Sequence, residues 1–156
     1  MQEIRIWIDA DSCPTLVRNH AVKTAGKLGL NIFFVANKSI PCDYDNFEMI
    51  ICSSEKDAAD NYILEHAEAF DLVITRDIVF ADRLVSKNIA VINDRGTFFT
   101  KENIKDLLSD RDFDFALFQA GVVKHAKEGY SKKDFEKFAN CFDKVLTKLQ
   151  NSRLYC

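Results

Sequence analysis

Apolar residues are concentrated in five short runs of this chain, which predict buried β-strands, and in the first run they recur at a period of two. The first run spans Ile4 to Ile8, where Ile4, Ile6 and Ile8 share one face. The other four runs are 31–36, 48–52, 72–75 and 89–92. Apolar residues at helical spacing lie between them, so that helices are predicted at 14–28, 54–67 and 78–86. Alternating strands and helices predict a parallel sheet with right-handed crossovers, with the first run at its centre, flanked by 31–36 and 72–75.

Two residues predict how these helices begin and end. Pro14 suits the first turn of a helix with Ser12 or Cys13 as its cap, and Gly29 suits a left-handed C-cap. Ser54 and Asp57 have the three-residue spacing of a capping box, which would start the next helix at Ser54.

The pattern becomes helical beyond Gly96. Thr100 is predicted to cap a helix at 101–109, and a second helix is predicted at 112–120. Ser131 and Asp134 form a second capping-box pattern, which opens a long helix with an apolar stripe at Phe135, Phe138, Phe142, Val145, Leu146 and Leu149. We predict that these helices cover the sheet. The alternative for the stripe is a homodimer interface, since an exposed aromatic row would be adhesive.

We therefore predict an α/β fold of three layers, with a mainly parallel central sheet and a C-terminal helical cover. The length of 156 residues is that of one ordinary domain. This domain would span 1–150, with an α/β core in 1–96, the cover in 97–150 and a frayed tail in 151–156.

Composition narrows the possible classes of protein. No apolar run approaches the ~18 residues of a membrane span, so no membrane partner is expected. The net charge of −3 argues against non-specific electrostatic binding of nucleic acid. Any binding of RNA or DNA would therefore depend on local contacts. Five scattered cysteines suggest neither a disulfide framework nor a zinc site, which favours a cytoplasmic location.

Acidic residues follow several of the predicted strands. Asp9 and Asp11 come after the first run, Asp77 after the fourth, and Asn93 with Asp94 after the fifth. The carboxyl ends of parallel strands meet at one edge of a sheet, where ligands bind. The alternative is that Asp9 and Asp11 only cap backbone amides, although one carboxylate would suffice for that.

Asp57 and Asp60 lie three residues apart and share one helical face near the same edge. Asp57 could serve as a helix-start charge and Asp77 as a cap. Asp60 lies past the first turn of the predicted helix, where neither capping nor the helix dipole explains it. Clustered carboxylates need a counter-ion, and oxygen ligands without His or Cys select Mg²⁺ or Mn²⁺.

The motifs D-A-D-S-C-P, V-A-N-K, D-x-x-A-D-N, V-I-T-R-D and N-x-R-G occur in this order along the chain. Together they resemble the bacterial YaiI/YqxD family, also called DUF188 or UPF0178, which is similar to PIN-like nucleases. That resemblance implies phosphodiester hydrolysis with Mg²⁺ or Mn²⁺, in which Asp9, Asp60 and Asp77 would be catalytic. Asp11, Asp57 and Asn61 match the family's own motifs, so that both aspartates would help to bind the metal and Asn61 would contact the substrate. The chain departs from the family pattern at Arg76, at Asp94 and in lacking Gly-Gly-Pro before the last helix.

Three basic residues follow strand ends and could meet a phosphate: Lys38, Arg76 and Arg95. The equally weighted alternative is an internal salt bridge that offsets the acidic cluster. Asn37 could orient a ligand, although such loop residues more often close turns.

Two other functions fit parts of the pattern. In a haloacid-dehalogenase-like phosphatase, Asp9 would be the nucleophile and Asp11 the general acid. The immediate start of the helix at Pro14 leaves no room for the flap of those enzymes, and Asp60 would have no role. A non-catalytic module that holds a metal or a basic partner is the other alternative.

Overall fold

The computed structural model describes residues 3–121 and 129–154. Within these ranges the chain forms six strands and five helices in the order β1 Arg5–Asp9, α1 Thr15–Leu28, β2 Asn31–Ala36, β3 Glu48–Ile51, α2 Ala58–His66, β4 Leu72–Ile74, α3 Ile78–Ser86, β5 Ala90–Ile92, β6 Phe98–Phe99, α4 Ile104–Gln119 and α5 Lys132–Leu154. No described helix is both long enough and apolar enough to cross a membrane.

The strands form one sheet in the order β3-β2-β1-β4-β5-β6. The first five are parallel, and β6 pairs antiparallel with β5. The prediction that β1 lies between β2 and β4 is confirmed, with Ile6 opposite Ile32 on one side and Leu72 on the other. Strands β2 and β3 lie on one side of β1, and β4, β5 and β6 lie on the other, so the strand order reverses between β1 and β4. A crevice is expected at the carboxyl end of such a switch point.

Helices cover both faces of the sheet, which confirms the predicted three-layer α/β fold. Ile4, Ile6 and Ile8 pack on one face in a cluster with residues of α1 and α5. Trp7 points to the other face and packs with residues of α2 and α3. This division follows from the alternation of side chains along a strand.

The aromatic stripe of α5 is part of the core. Phe138 and Phe142 are fully buried, Leu146 is 1% exposed, and Phe135 packs partly buried against the same cluster. The imidazole of His20 on α1 meets the rings of Phe138 and Phe142 edge-on. The predicted helical cover is thus confirmed for α5, whereas α4 is mostly exposed from Ser109 onward. Burial of the stripe within the chain itself does not require a dimer interface. The exposed phenylalanines lie on α4 instead, at positions 113, 115 and 118.

The two capping-box predictions have opposite outcomes. At α5 the box is confirmed, because the Asp134 amide donates to Ser131 Oγ and the Ser131 amide donates to Asp134 Oδ2. At α2 it is wrong: the helix begins at Ala58, and Asp57 occupies its N-cap position in a left-handed conformation with φ of 64° and no side-chain cap bond. The Ala58 amide instead closes a turn onto the Glu55 carbonyl.

The start of α1 also differs in detail from the prediction. Pro14 is the N-cap, and its carbonyl accepts from the Arg18 amide, so neither Ser12 nor Cys13 caps the helix. Residues Ala10–Ser12 form a single 3₁₀ turn between β1 and the helix. At the other end Gly29 has φ of 68°, as predicted for a left-handed C-cap.

The C-terminal third has three further differences. The helices predicted at 101–109 and 112–120 are one helix, α4, because no glycine or proline interrupts the chain between them. Strand β6 was not predicted, since two residues are too short for a recognisable period. The tail predicted to fray from Asn151 is helical as far as Leu154, and 155–156 lie outside the described residues.

Candidate functional site

Asp9 is the last residue of β1 and lies at the carboxyl edge of the sheet. The Thr75 hydroxyl, 2% exposed at the end of β4, donates to Asp9 Oδ2 at 2.9 Å. The same hydroxyl oxygen accepts from the Asp77 amide at 3.1 Å. Thr75 therefore ties the Asp9 carboxylate to the backbone that leads into α3. Sequence reasoning missed this role, because a threonine after a strand carries no distinguishing pattern.

Asp77 is the N-cap of α3, as one of the two sequence interpretations proposed. Its Oδ1 accepts from the amides of Val79 at 3.0 Å and Phe80 at 3.2 Å. Both bonds use the same carboxylate oxygen, so the other oxygen takes no part in the cap. The cap holds the Asp77 side chain in a fixed position beside Asp9.

Asp60 lies in the first turn of α2, because this helix begins at Ala58. The argument that the helix dipole could not explain Asp60 is therefore wrong, since its premise was a helix start at Ser54. Burial and the charges of Asp9, Asp77 and Asp57 nevertheless raise the pKa of Asp60 to about 7, against the opposing charge of Arg83. Burial is the largest of these causes, and the charges of Asp9, Asp77 and Asp57 add to it, so that these carboxylates lie near enough to Asp60 to disfavour its ionised form.

Asp9 has a similar environment. Burial raises its pKa to about 6, the Thr75 hydrogen bond opposes this, and the charges of Asp11 and Asp77 add to the increase. Asp11 itself is exposed and accepts from the Asn37 amide at 3.2 Å, which joins the turn after β1 to the loop after β2. Charge effects thus link the predicted metal-binding carboxylates in pairs: Asp9 with Asp11 and Asp77, and Asp60 with Asp9, Asp57 and Asp77.

The donor set has the chemistry of a hard-cation site, since it is all oxygen and excess negative charge. Among the described residues, however, no three or more His, Cys, Asp or Glu side chains are positioned as a ready-made metal cage. Mg²⁺ does not need such a cage, because it usually keeps several waters and uses one or two carboxylates together with substrate phosphates. An ion at this edge would therefore have to be bound mostly through water, with few carboxylates in direct contact.

The two predicted phosphate-binding arginines are ion-paired. Arg76 Nε donates to Asp94 Oδ2 at 3.1 Å, and its Nη2 pairs with the same oxygen. Asp94 is 3% exposed, and the Tyr130 hydroxyl donates to its carbonyl at 2.6 Å. Arg95 turns away toward α5, with Nε 3.7 Å from Asp134 Oδ2. The internal salt bridge is therefore the interpretation that matches Arg76, and contact of Arg76 with a phosphate would require this pair to open.

The remaining predicted substrate residues, Asn37, Lys38 and Asn61, are exposed. Asn37 contacts Asp11 through its backbone amide, and the Asn61 amide continues α2 by donating to the Asp57 carbonyl. Cys13 borders a small cavity next to Asp9 and Arg76, and burial raises the pKa of its thiol. A thiol in that state is a poor nucleophile, which supports assigning the chemistry to the carboxylates.

Comparison with known proteins gives a consistent result. The family model described as an uncharacterized BCR of the YaiI/YqxD family, DUF188, matches residues 7–148. A UPF0178 protein of Treponema denticola is 41% identical over 150 residues, which cover 96% of each chain. A UPF0178 protein of Vibrio cholerae El Tor is 40% identical over 146 residues, covering 93% of this chain and 98% of the relative. No solved structure matches the chain. With a match of this length in both comparisons, the chain belongs to the YaiI/YqxD family, DUF188 or UPF0178.

Proposed function

We propose that this protein hydrolyses phosphodiester bonds with Mg²⁺ or Mn²⁺ held at the carboxyl edge of the sheet. The observation that most supports this is the meeting of carboxylates from β1, α2 and α3 at the strand-order reversal. Their repulsion leaves a site that a divalent cation and a phosphate would complete. The resemblance of the family to PIN-like nucleases leads to the same reaction.

The roles of the residues follow from their contacts. Asp9 and Asp60 would hold the cation, and Asp77, Asp11 and Asp57 would assist directly or through water. Thr75 fixes one oxygen of Asp9 and leaves the other free, while the α3 cap immobilises Asp77. A bound cation would neutralise the attacked phosphate and make a water more acidic.

The phosphatase alternative is less well supported. Only the turn Ala10–Ser12 and two further residues separate β1 from α1, so no flap is inserted there.

We also infer a cytoplasmic location, because Cys13, Cys42, Cys52 and Cys141 are free thiols.

The test is cleavage of labelled short RNA and DNA by the purified protein in Mn²⁺, in Mg²⁺ and in EDTA. Wild type should cleave only with a divalent cation, and Asp9→Asn and Asp60→Asn should each lower the rate by orders of magnitude. Asp77→Asn is a useful third variant, because asparagine caps a helix as well as aspartate does. Asp114→Asn, an exposed site on α4, is the matched control and should leave the rate unchanged.

Three results would contradict the proposal. Wild type that binds Mn²⁺ but cleaves no substrate would favour a non-catalytic module. Phosphorylation of Asp9 by an acyl phosphate would favour the phosphatase. Full activity of Asp9→Asn would exclude a role for this site in cleavage.

A further inference from the structure

A groove with a volume of about 510 Å³ separates α5 from the turn that joins β5 to β6. Four cationic side chains line it: Arg95 from the turn and Lys137, Lys144 and Lys148 from α5. We call these residues and the space between them the basic groove. The chain as a whole has a net charge of −3, so this surface is a local exception to its acidic character.

The three lysines form one row on α5. At 100° per residue, Lys137, Lys144 and Lys148 fall within about 40° of arc on the helix. The row extends over about 16 Å, from the rise of 1.5 Å per residue. A row of this length suits several phosphates in succession, whereas one phosphate would need only one end of it.

Acidic side chains offset this row only in part. All three lysines are exposed, and none of them forms an ion pair with a described residue. Asp134, the partner of Arg95, also interacts electrostatically with Lys137, but it does not line the groove and is already hydrogen-bonded to Ser131. The positive charge of the basic groove is therefore available to an anionic ligand.

The floor of the basic groove is partly apolar. Phe98 of β6 is half-buried and contributes an aromatic ring to the lining, next to Val145 of α5. A positively charged groove combined with an aromatic surface is the usual arrangement for single-stranded nucleic acid, because the phosphates follow the charges and a base stacks on the ring.

The basic groove begins where the acidic edge ends. Asp94 borders the cavity beside Asp9, whereas the next two residues, Arg95 and Gly96, line the groove. Gly96 brings this turn against α5 so closely that a Cβ there would lie 2.5 Å from the Lys137 carbonyl oxygen. The turn after β5 therefore joins the basic groove to the acidic edge.

We infer that the basic groove binds the phosphate backbone of a single-stranded nucleic acid and directs the strand to the carboxylates at the edge of the sheet. The binding step stands on the groove alone, and its role in delivering a substrate rests on the proposed phosphodiester hydrolysis. The lysine row selects a polymer over a mononucleotide.

The test measures binding of a short labelled single strand by fluorescence anisotropy, in EDTA so that no cleavage occurs. The double variant Lys144→Gln/Lys148→Gln should bind about tenfold more weakly than wild type. The slope of log K against log salt should become shallower by about 1.4, which is the loss of two phosphate contacts at 0.7 each. Circular dichroism would check that the fold is retained.

The matched control is Lys23→Gln/Lys27→Gln on α1. These two lysines are also exposed and four residues apart, so the control removes the same charge from a different surface. It should bind as wild type does. Equal losses of affinity in both double variants would show that binding depends only on net charge, and would overturn the inference. Unchanged affinity in Lys144→Gln/Lys148→Gln would also overturn it.

Two competitors test the class of ligand. An unlabelled duplex or a mononucleotide that displaces the label as well as an unlabelled single strand would overturn the inference. Failure of the two proposals is distinguishable. Groove-dependent binding without cleavage in Mn²⁺ would refute the nuclease and leave the groove. Cleavage that depends on Asp9, with binding unchanged in Lys144→Gln/Lys148→Gln, would support the nuclease and refute the role of the basic groove.

Discussion

Asp60 gains a proton more readily in the folded protein than in the unfolded chain. Its pKa is about 7 in the fold, mainly through burial and then through repulsion by Asp9, whereas an unfolded aspartate has a pKa of about 3.9. Its protonation therefore stabilises the fold fully below about pH 4, and this contribution is lost as the pH rises through 7.

We predict that Asp60→Asn is more stable than wild type at pH 8 in metal-free buffer. The difference should be on the order of 1 kcal/mol, because the half-exposed site lets solvent screen the repulsion. Urea denaturation at a series of pH values measures it, with Asp114→Asn as the control. The difference should shrink toward pH 4 and in the presence of Mn²⁺. A less stable Asp60→Asn at pH 8 in EDTA would contradict this explanation.

For individual residues, the sequence predicted the positions of side chains better than their ion-pair partners. Asp9 and Asp77 could be placed because each directly follows an apolar run. The partners of the arginines could not, because Arg76 pairs with Asp94 and Arg95 with Asp134, far away in sequence. Contacts of this kind depend on the register of strands and helices, which local patterns do not encode.

The turn between β5 and β6 is the element whose geometry is most constrained by its neighbour. Gly96 has φ of 83°, and a Cβ there would lie 2.5 Å from the Lys137 carbonyl oxygen and 2.7 Å from its carbon. Neither backbone atom can move without displacing α5. The turn and the helix therefore fix the width of the basic groove together.

We predict that Gly96→Ala lowers the free energy of unfolding by about 3 kcal/mol, from left-handed strain and a backbone clash combined. Gly29→Ala is the matched control, because Gly29 also has a positive φ of 68° but nothing within 4 Å of the added methyl. It should cost about 1 kcal/mol. Chemical denaturation of both variants gives the comparison, and equal losses would show that the clash is relieved at no cost.

Elements with strong periods and clear boundaries were predicted well, and α3 has its predicted bounds. Capping patterns were less informative. The same Ser-x-x-Asp spacing forms a box at Ser131 but not at Ser54, where Asp57 adopts a left-handed conformation that the spacing does not reveal. Local hydrogen bonds compete at such positions, and tertiary packing decides between them.

The molecule as a whole is held together by two cores, and α5 completes one of them. Phe138 and Phe142 stack with centroids 5.4 Å apart, and both are fully buried. The central part of the sheet order, β2-β1-β4, followed from the alternation of strands and helices, since right-handed crossovers leave few arrangements. The basic groove could not be predicted in this way, because the sequence alone shows Lys137, Lys144 and Lys148 only as charged residues of a helix.

We predict that Phe138→Ala lowers the free energy of unfolding by about 3–5 kcal/mol, the usual cost of removing a buried phenylalanine ring. Phe118→Ala is the control, since Phe118 is 55% exposed on α4. Its change should stay within about 0.5 kcal/mol. Thermal or urea denaturation distinguishes the two. A small loss in Phe138→Ala would mean that α5 contributes little to the stability of the sheet.

The contacts of α5 have a consequence for the order in which the protein is made. Ribosomal synthesis proceeds from the N-terminus, so the five parallel and antiparallel pairings of the sheet are available before α5 emerges. The pairing of Arg95 with Asp134 and the bond from Tyr130 to Asp94 form only afterwards. A nascent chain would thus carry its acidic edge without the basic groove, and would bind a polyanion only once its last helix has docked.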